Sequence, residues 1–319
     1  MSQPIAAPKN GPLELKLQIM LRNWSYPEFR EILYREARGC ENQECPSVYG
    51  RVYAYLRALE LRKRGLGYGE IRRVVKDEIG YMLSESVLLS WLRGEYTPLG
   101  RIIVFDTRRP EVGLIMGLVL SDGYKRQRRY FDHVGYGRAD FYNKDEGVIE
   151  EFRESCRRLG LAAHGYPPRP GKRCWRVEVK STLLHLLLMR FSVFIIRAPT
   201  EVQQAFLRGL WLGDGYIRRR IVLVNTDPRI VGTVSELLSI HGIEHSICGP
   251  YKPKGLGKKP KYYVNIWGCS KSRFLELTGL AEGPPRPARY SANVTNTSDR
   301  FELDCRFREP PLYASTWPR

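Results

Sequence analysis

Ile115-Met-Gly-Leu-Val-Leu-Ser-Asp-Gly123 and Leu207-Arg-Gly-Leu-Trp-Leu-Gly-Asp-Gly215 are two versions of one pattern. Each is an apolar run with glycine at its third position, a small residue at its seventh and Asp-Gly at its end. Residues four apart share a helical face. Gly117 with Ser121, and Gly209 with Gly213, therefore give each helix a flat strip where two backbones can approach. A glycine inside a helix costs about 1 kcal/mol relative to alanine, and close packing is the compensation. Two such helices packed together would set Asp122 and Asp214 side by side. Pro110 suits the first turn of the first helix, and Thr200 with Gln203 predicts a capping box on the second.

Working outward, both stretches are followed by the same series. Asn143-Lys-Asp145 and Asn225-Thr-Asp227 each precede a helical pattern, with apolar residues at Ile149, Phe152 and Cys156 in one and Val231, Val234 and Leu238 in the other. Asn-x-Asp supplies N-cap candidates, Pro228 falls near a first turn, and Gly160 and Gly242 stand where a glycine would stop each helix. Asn143 and Asn225, Asp145 and Asp227, and Gly160 and Gly242 are each 82 positions apart, whereas the two motif aspartates are 92 apart. The first copy thus carries about ten extra residues in its first hairpin, Tyr124 to Phe141. Alternating segments, Cys174 to Lys180 and Tyr262 to Trp267, read as strands, and apolar helices from Thr182 to Phe191 and Ser272 to Leu280 close the copies. The expected fold is α+β: two pseudo-symmetric αββαββα halves at 106–197 and 198–281, packed through their motif helices. A helical N-terminal domain (1–105) precedes them, and an extended tail (282–319) follows.

The charge points to the partner. There are 52 Lys+Arg against 34 Asp+Glu, a net +18 made mostly of arginine (38 Arg, 14 Lys), whose fork suits phosphate. Double-stranded DNA is the default ligand. No apolar run approaches a membrane span, and the start lacks the layout of a signal peptide, so the expected location is cytoplasmic and nucleoid-associated. Seven scattered cysteines include no C-x-x-C, which implies neither a zinc site nor a disulfide framework. Cys40 and Cys45 are the only close pair, and His241 and His245 lack the preceding cysteines of a zinc finger.

With both motif helices and the matching element series in view, the repeat resembles a LAGLIDADG homing endonuclease of the single-chain, two-motif type, over roughly 170 of the 319 residues. Leu120 and Leu212 depart from the pattern at the sixth motif position, where the namesake motif has Asp. The resemblance implies that Asp122 and Asp214 bind Mg²⁺ (or Mn²⁺) and cut a phosphodiester in each strand across the minor groove. It implies a monomer with a β-saddle in the major groove and a gene in a mobile intron. Lys180 stands where the family often has a catalytic lysine; the second half has Trp267 there, with Lys271 four residues on. Other uses of the same scaffold are a catalytically silent regulator or an intron-RNA maturase. The chain neither begins with Cys or Ser nor ends in His-Asn, which is read against an intein.

The saddle's DNA contacts are expected from the strands nearest the motifs: Lys125, Arg126, Arg128 and Arg129; Arg173 and Arg176, the latter alternating with Glu178; and Arg218, Arg219 and Arg220. The loop bearing Lys252, Lys254, Lys258 and Lys259 reads as a backbone clamp. Upstream, three helices over 50–100 resemble a helix-turn-helix module. Its last helix would expose Ser84, Glu85, Ser86 and Ser90 while Val87, Leu88, Trp91 and Leu92 pack, which makes Ser86 and Ser90 further DNA-contact candidates. The unequal hairpins and the unmatched lysine predict an asymmetric DNA target.

Overall fold

The computed structural model describes residues 24–38, 48–95, 97–98, 103–125, 137–171, 173–218, 220–252 and 259–281, without the side chains of 36–38, 48–49 and 124–125. Among the described residues, four helices come first: α1 (Tyr26–Arg38), α2 (Val48–Lys63), α3 (Tyr68–Ile79) and α4 (Glu85–Leu92). The first α+β half is α5 (Pro110–Asp122), β1 (Gly123–Lys125), β2 (Arg138–Asn143), α6 (Glu146–Arg158), β3 (Ala163–Tyr166), β4 (Trp175–Lys180), α7 (Thr182–Met189) and α8 (Phe191–Ile196). The second is α9 (Thr200–Asp214), β5 (Gly215–Ile217), β6 (Ile221–Asn225), α10 (Pro228–Ile240), β7 (His245–Tyr251), β8 (Lys261–Ile266) and α11 (Ser270–Thr278). Their antiparallel sheets run β1-β2-β4-β3 and β5-β6-β8-β7, the same topology twice.

Local chemistry explains why the two copies fold alike. Asp145 caps α6, accepting from the N–H groups of Gly147 and Val148 at 2.8 and 3.3 Å, and Asp227 caps α10, accepting from Arg229 N at 2.9 Å. Gly160 (φ 72°) and Gly242 (φ 63°) end these helices in the left-handed conformation that L side chains disfavour. Between the caps, Ile149, Phe152 and Cys156, and Val231, Val234 and Leu238, are buried beneath their sheets. Each half thus buries one helix face against one sheet face.

The halves meet along α5 and α9. A Cβ on Gly113 would strike Val202 O; one on Gly117 would strike Phe206 O and lie 2.8 Å from Leu210 N; one on Gly209 would lie 2.5 Å from Leu114 O. Side chains would hold these backbones apart. Gly113 extends the small strip one turn upstream of the motif.

Three expectations need correction. Thr200 and Gln203 form no capping box: Pro199 is the N-cap of α9, so Thr200 is already helical and its hydroxyl is past the capping position. Gln203 Nε2 instead donates to Ile196 O at 2.9 Å, tying α9 to the end of α8. The closing helix of the first half ends early, because Arg190 (φ −117°, ψ 29°) breaks it into α7 and α8. The closing helix of the second half begins at Ser270 and ends at Thr278, where Gly279 (φ 61°) stops it.

The N-terminal helices are stapled by Arg57, whose Nη2 lies 2.7 Å from Glu78, and by Tyr53, whose hydroxyl donates to Glu78 at 2.7 Å. Trp24, 6.4 Å from Phe194 between ring centroids, and the Arg197–Glu28 pair at 3.1 Å join this domain to α8. In α4, Leu88 and Trp91 are buried, Ser84 caps the helix by accepting from Val87 N, Ser86 is exposed and Ser90 is half-buried.

Candidate active site and nucleic-acid interface

Asp122 and Asp214 are the last residues of the paired helices α5 and α9. A Cβ built on Gly213 would collide with the Ser121 side chain and lie 3.3 Å from Asp122 Oδ2, so Gly213 is the gap that admits the other half's carboxylate. Helix C-termini carry partial negative charge, and the site concentrates a further two carboxylates there. The physical consequences are visible in both. Burial pushes the Asp214 carboxyl up to about 6, helped by the neighbouring Asp122 charge and opposed by a hydrogen bond from Asn225; burial also raises Asp122.

Two asparagines complete the site. Asn143 Nδ2 donates to Asp122 Oδ2 at 3.1 Å, and Asn225 Nδ2 donates to Asp214 Oδ2 at 2.8 Å. Their own Oδ1 atoms accept from Asp145 N and Asp227 N at 2.9 and 2.8 Å. Each Asn-x-Asp therefore links a motif carboxylate to a helix cap. Sequence reading assigned these asparagines only to capping. The signal was present, because they recur 82 positions apart with the caps, but only the sheet register shows that the end of β2 or β6 meets the end of a motif helix. Among the described residues, neither aspartate's Oδ1 accepts a hydrogen bond.

The other predicted residues divide. Lys180 is exposed, 3.7 Å from Glu178, and makes no hydrogen bond or ion pair with Asp122 among the described residues. The register aligns Gly123 with Phe141 and Val177, which leaves Lys180 three residues, about 10 Å, further along β4 than the start of β1. Arg176 lies on the sheet face with Glu178, 2.9 Å away, and stacks over Tyr166. Arg218 stacks over Tyr216 and Arg220 over Trp267. Arg173, Lys252 and Lys259 are exposed. Arg126, Arg128, Arg129, Arg219, Lys254 and Lys258, the Lys125 side chain, Cys40, Cys45 and the C-terminal tail lie outside the described residues.

A family model described as a LAGLIDADG-like domain matches residues 201–279, the span from α9 through α11. Over these residues the chain resembles a LAGLIDADG-like domain. The first half repeats its element order and sheet topology. The chain is also 33% identical over 113 residues to the ATP-dependent DNA helicase Hel308 of Thermococcus kodakarensis, an alignment covering 32% of this chain. It spans about 10% of the length of that curated relative. Solved structures similar to it include the homing endonuclease I-DmoI in complex with DNA and Mn (18% identity, 55% of this chain, 98% of that one, TM-score 0.43). Others are I-WcaI bound to its DNA recognition sequence (14%, 66% and 94%, TM-score 0.39) and the N-terminal LAGLIDADG domain of DUF199/WhiA (12%, 55% and 84%, TM-score 0.41). The repeat of this chain carries Asp122 and Asp214 with Asn143 and Asn225 beside them. No described helix is long and apolar enough to cross a membrane.

Proposed function

We propose that this chain is a DNA endonuclease that makes a double-strand break in a long, asymmetric target, with a divalent cation, Mg²⁺ or Mn²⁺, held by Asp122 and Asp214. Its resemblance to homing endonucleases extends the proposal to a target at which a mobile intron inserts. The observation that carries it is the carboxylate pair at the ends of two glycine-packed helices, each carboxylate held by one asparagine and left with one oxygen unpaired among the described residues. Such a pair fits a hard cation. Oxygen donors suit Mg²⁺, and a cation offsets both the mutual repulsion and the unfavourable helix ends.

Asn143 and Asn225 hold the Oδ2 atoms, which limits the rotation of each carboxylate and leaves its Oδ1 without a hydrogen bond among the described residues. The Gly117–Gly209 contact sets how far apart the two carboxylates stand. When bound, Mg²⁺ would lower the pKa of an attacking water and stabilise the leaving oxygen. Lys180 and the exposed basic residues supply phosphate contacts that position the duplex. The N-terminal helices, with Ser86 exposed at the start of α4, extend the contact along the target.

A randomised duplex library with Mg²⁺ tests this. The wild type should enrich one asymmetric site and cut both strands of it. Asp122→Asn and Asp214→Asn should retain binding but lose about 10²–10³-fold in cutting, as loss of one electrostatic group at a reacting centre commonly does. A wild type that binds its site and never cuts makes the chain a regulator or an RNA maturase on this scaffold. Undiminished cutting by both variants removes the aspartates from the chemistry.

A further inference from the structure

The seam between α5 and α9 is made of two strips that are alike in spacing and unlike in composition. Steps of four residues put Gly113, Gly117 and Ser121 on one face of α5, and Ala205, Gly209 and Gly213 on one face of α9. Each residue of the first strip has its counterpart 92 positions on, the spacing of the motif aspartates. The middle counterparts, Gly117 and Gly209, are identical. The outer ones are not: the first half has glycine where the second has Ala205, and serine where the second has Gly213.

The seam is tight along its whole length. At the carboxylate end, a Cβ on Gly213 would collide with Ser121 Oγ and lie 2.5 Å from Ser121 Cβ. The backbone fixes that Cβ, so no rotation of Ser121 relieves the clash. The Ser121 hydroxyl is also turned back onto its own helix, donating to Leu118 O at 3.0 Å. Whatever stands opposite Ser121 must therefore be glycine. At the other end, a Cβ on Gly113 would strike the Val202 carbonyl oxygen and lie 2.9 and 3.0 Å from Val202 C and Phe206 N, all of them backbone. Whatever stands opposite this turn of α9 must again be glycine. In the middle neither helix tolerates a side chain, since a Cβ on Gly209 would lie 2.5 Å from Leu114 O and 2.9 Å from Leu118 N.

These requirements decide which faces can pair. Self-pairing about a two-fold axis sets each position of a face against the position that its counterpart meets here. Two first-half faces would then bring Ser121 against Ser121, where only glycine fits. Two second-half faces would bring Ala205 against Val202 and Phe206, where only glycine fits. We infer that the motif faces are an unlike pair, each of which accepts the face of the other half and rejects a copy of itself. A uniform glycine strip would let any two halves pair, so Ser121 and Ala205 are the residues that set the choice. The first half is synthesised first and meets copies of itself before its own partner exists; Ser121 removes those copies as partners. The inference rests on the seam alone and holds whether or not the chain binds or cuts DNA.

Thermal unfolding of full-length chains tests it. Ala205→Gly with Gly213→Ser gives both halves the first-half face, and Gly113→Ala with Ser121→Gly gives both the second-half face. Each like-faced chain should unfold about 5 °C or more below wild type. Combining all four substitutions exchanges the faces and restores an unlike pair. That chain should unfold at a higher temperature than either like-faced chain, although it carries twice as many changes, and independent effects on the two helices cannot produce that order. Every one of these chains keeps four glycines at the six positions, so helix propensity changes little between them. A like-faced chain that does not fold at all counts with the expected loss, and the exchanged chain then carries the test by folding. An exchanged chain no more stable than the like-faced ones overturns the inference. Like-faced chains that unfold within about 1 °C of wild type overturn it as well, because the ends of the seam then select nothing.

Discussion

Asp214 is half-surrounded by protein and shares its pocket with another carboxylate, which makes its protonation a property of the fold. Its carboxyl, pushed up from 3.8 to about 6 by burial and by Asp122, keeps a proton in the folded state that the unfolded chain has already released. Between about pH 4 and pH 6 the folded state binds more protons, so stability falls as pH rises through that window and levels off above it. The shift corresponds to about 3 kcal/mol at face value, and to about 1–2 kcal/mol once solvent screening of a partly exposed group is allowed for. In chelator at pH 7, Asp214→Asn should therefore raise Tm by a few degrees, and the gain should vanish at pH 4. Mg²⁺ should raise the Tm of wild type and not that of the variant. Thermal melts across pH, with and without Mg²⁺, check both. The same scale shows what was legible in sequence. The aspartates announced themselves because they recur in an identical motif. The asparagines did not, because a capping role already explained them.

At the scale of elements, the helix pair α5–α9 is governed by missing side chains. Gly117→Ala should destabilise by about 1–3 kcal/mol, the usual cost of overpacking, because the new Cβ meets the backbone of α9 at Phe206, Gly209 and Leu210 rather than a side chain that could rotate away. It should also lower cutting, since the carboxylates separate with the helices and small misplacements at a reacting centre are expensive. Gly232→Ala in α10 is the control. Nothing lies within 4 Å of that added Cβ, and the better helix propensity should make the change neutral or stabilising by up to about 1 kcal/mol. Denaturant unfolding of both variants reads the contrast. The small-residue strip was readable from spacing, as were the caps of α6 and α10. The break at Arg190 and the lost capping box at Thr200 were not. Both depend on how α8 must turn to hand the chain to α9, a tertiary requirement that overrides local helix signals.

For the whole molecule, one side chain of α9 clasps the two halves together away from the glycine-packed seam. Arg208 on α9 pairs with Glu151 on α6 of the first half at 3.0 Å, and its Nη1 donates to the carbonyls of Thr278 and Gly279 at the end of α11 at 3.3 and 2.9 Å. The cation also sits at a helix C-terminus, where it is favoured. Arg208→Ala should cost about 1–2 kcal/mol, the lower range for charged hydrogen bonds because the pair is about one-third exposed. Arg157→Ala, which removes a solvent-exposed pair with Glu154 on the same α6, should change unfolding free energy by nothing measurable.

Sequence by itself determined the repeat, the α+β class, the two carboxylates and the basic excess, because periodicity, glycine placement and charge are local or countable properties. Tertiary structure decided which residues share a pocket or a face. It brought Asn143 and Asn225 to the aspartates and left Lys180 further along its strand. It also showed that Arg176 and Glu178, foreseen as neighbours on one strand, belong with Arg138 and Asp140 in one buried network. Strand register and helix packing set those distances, and neither is a property of any single segment. The opening pair of motif stretches thus specified the site's chemistry, while the packing of α5 on α9 specified its geometry.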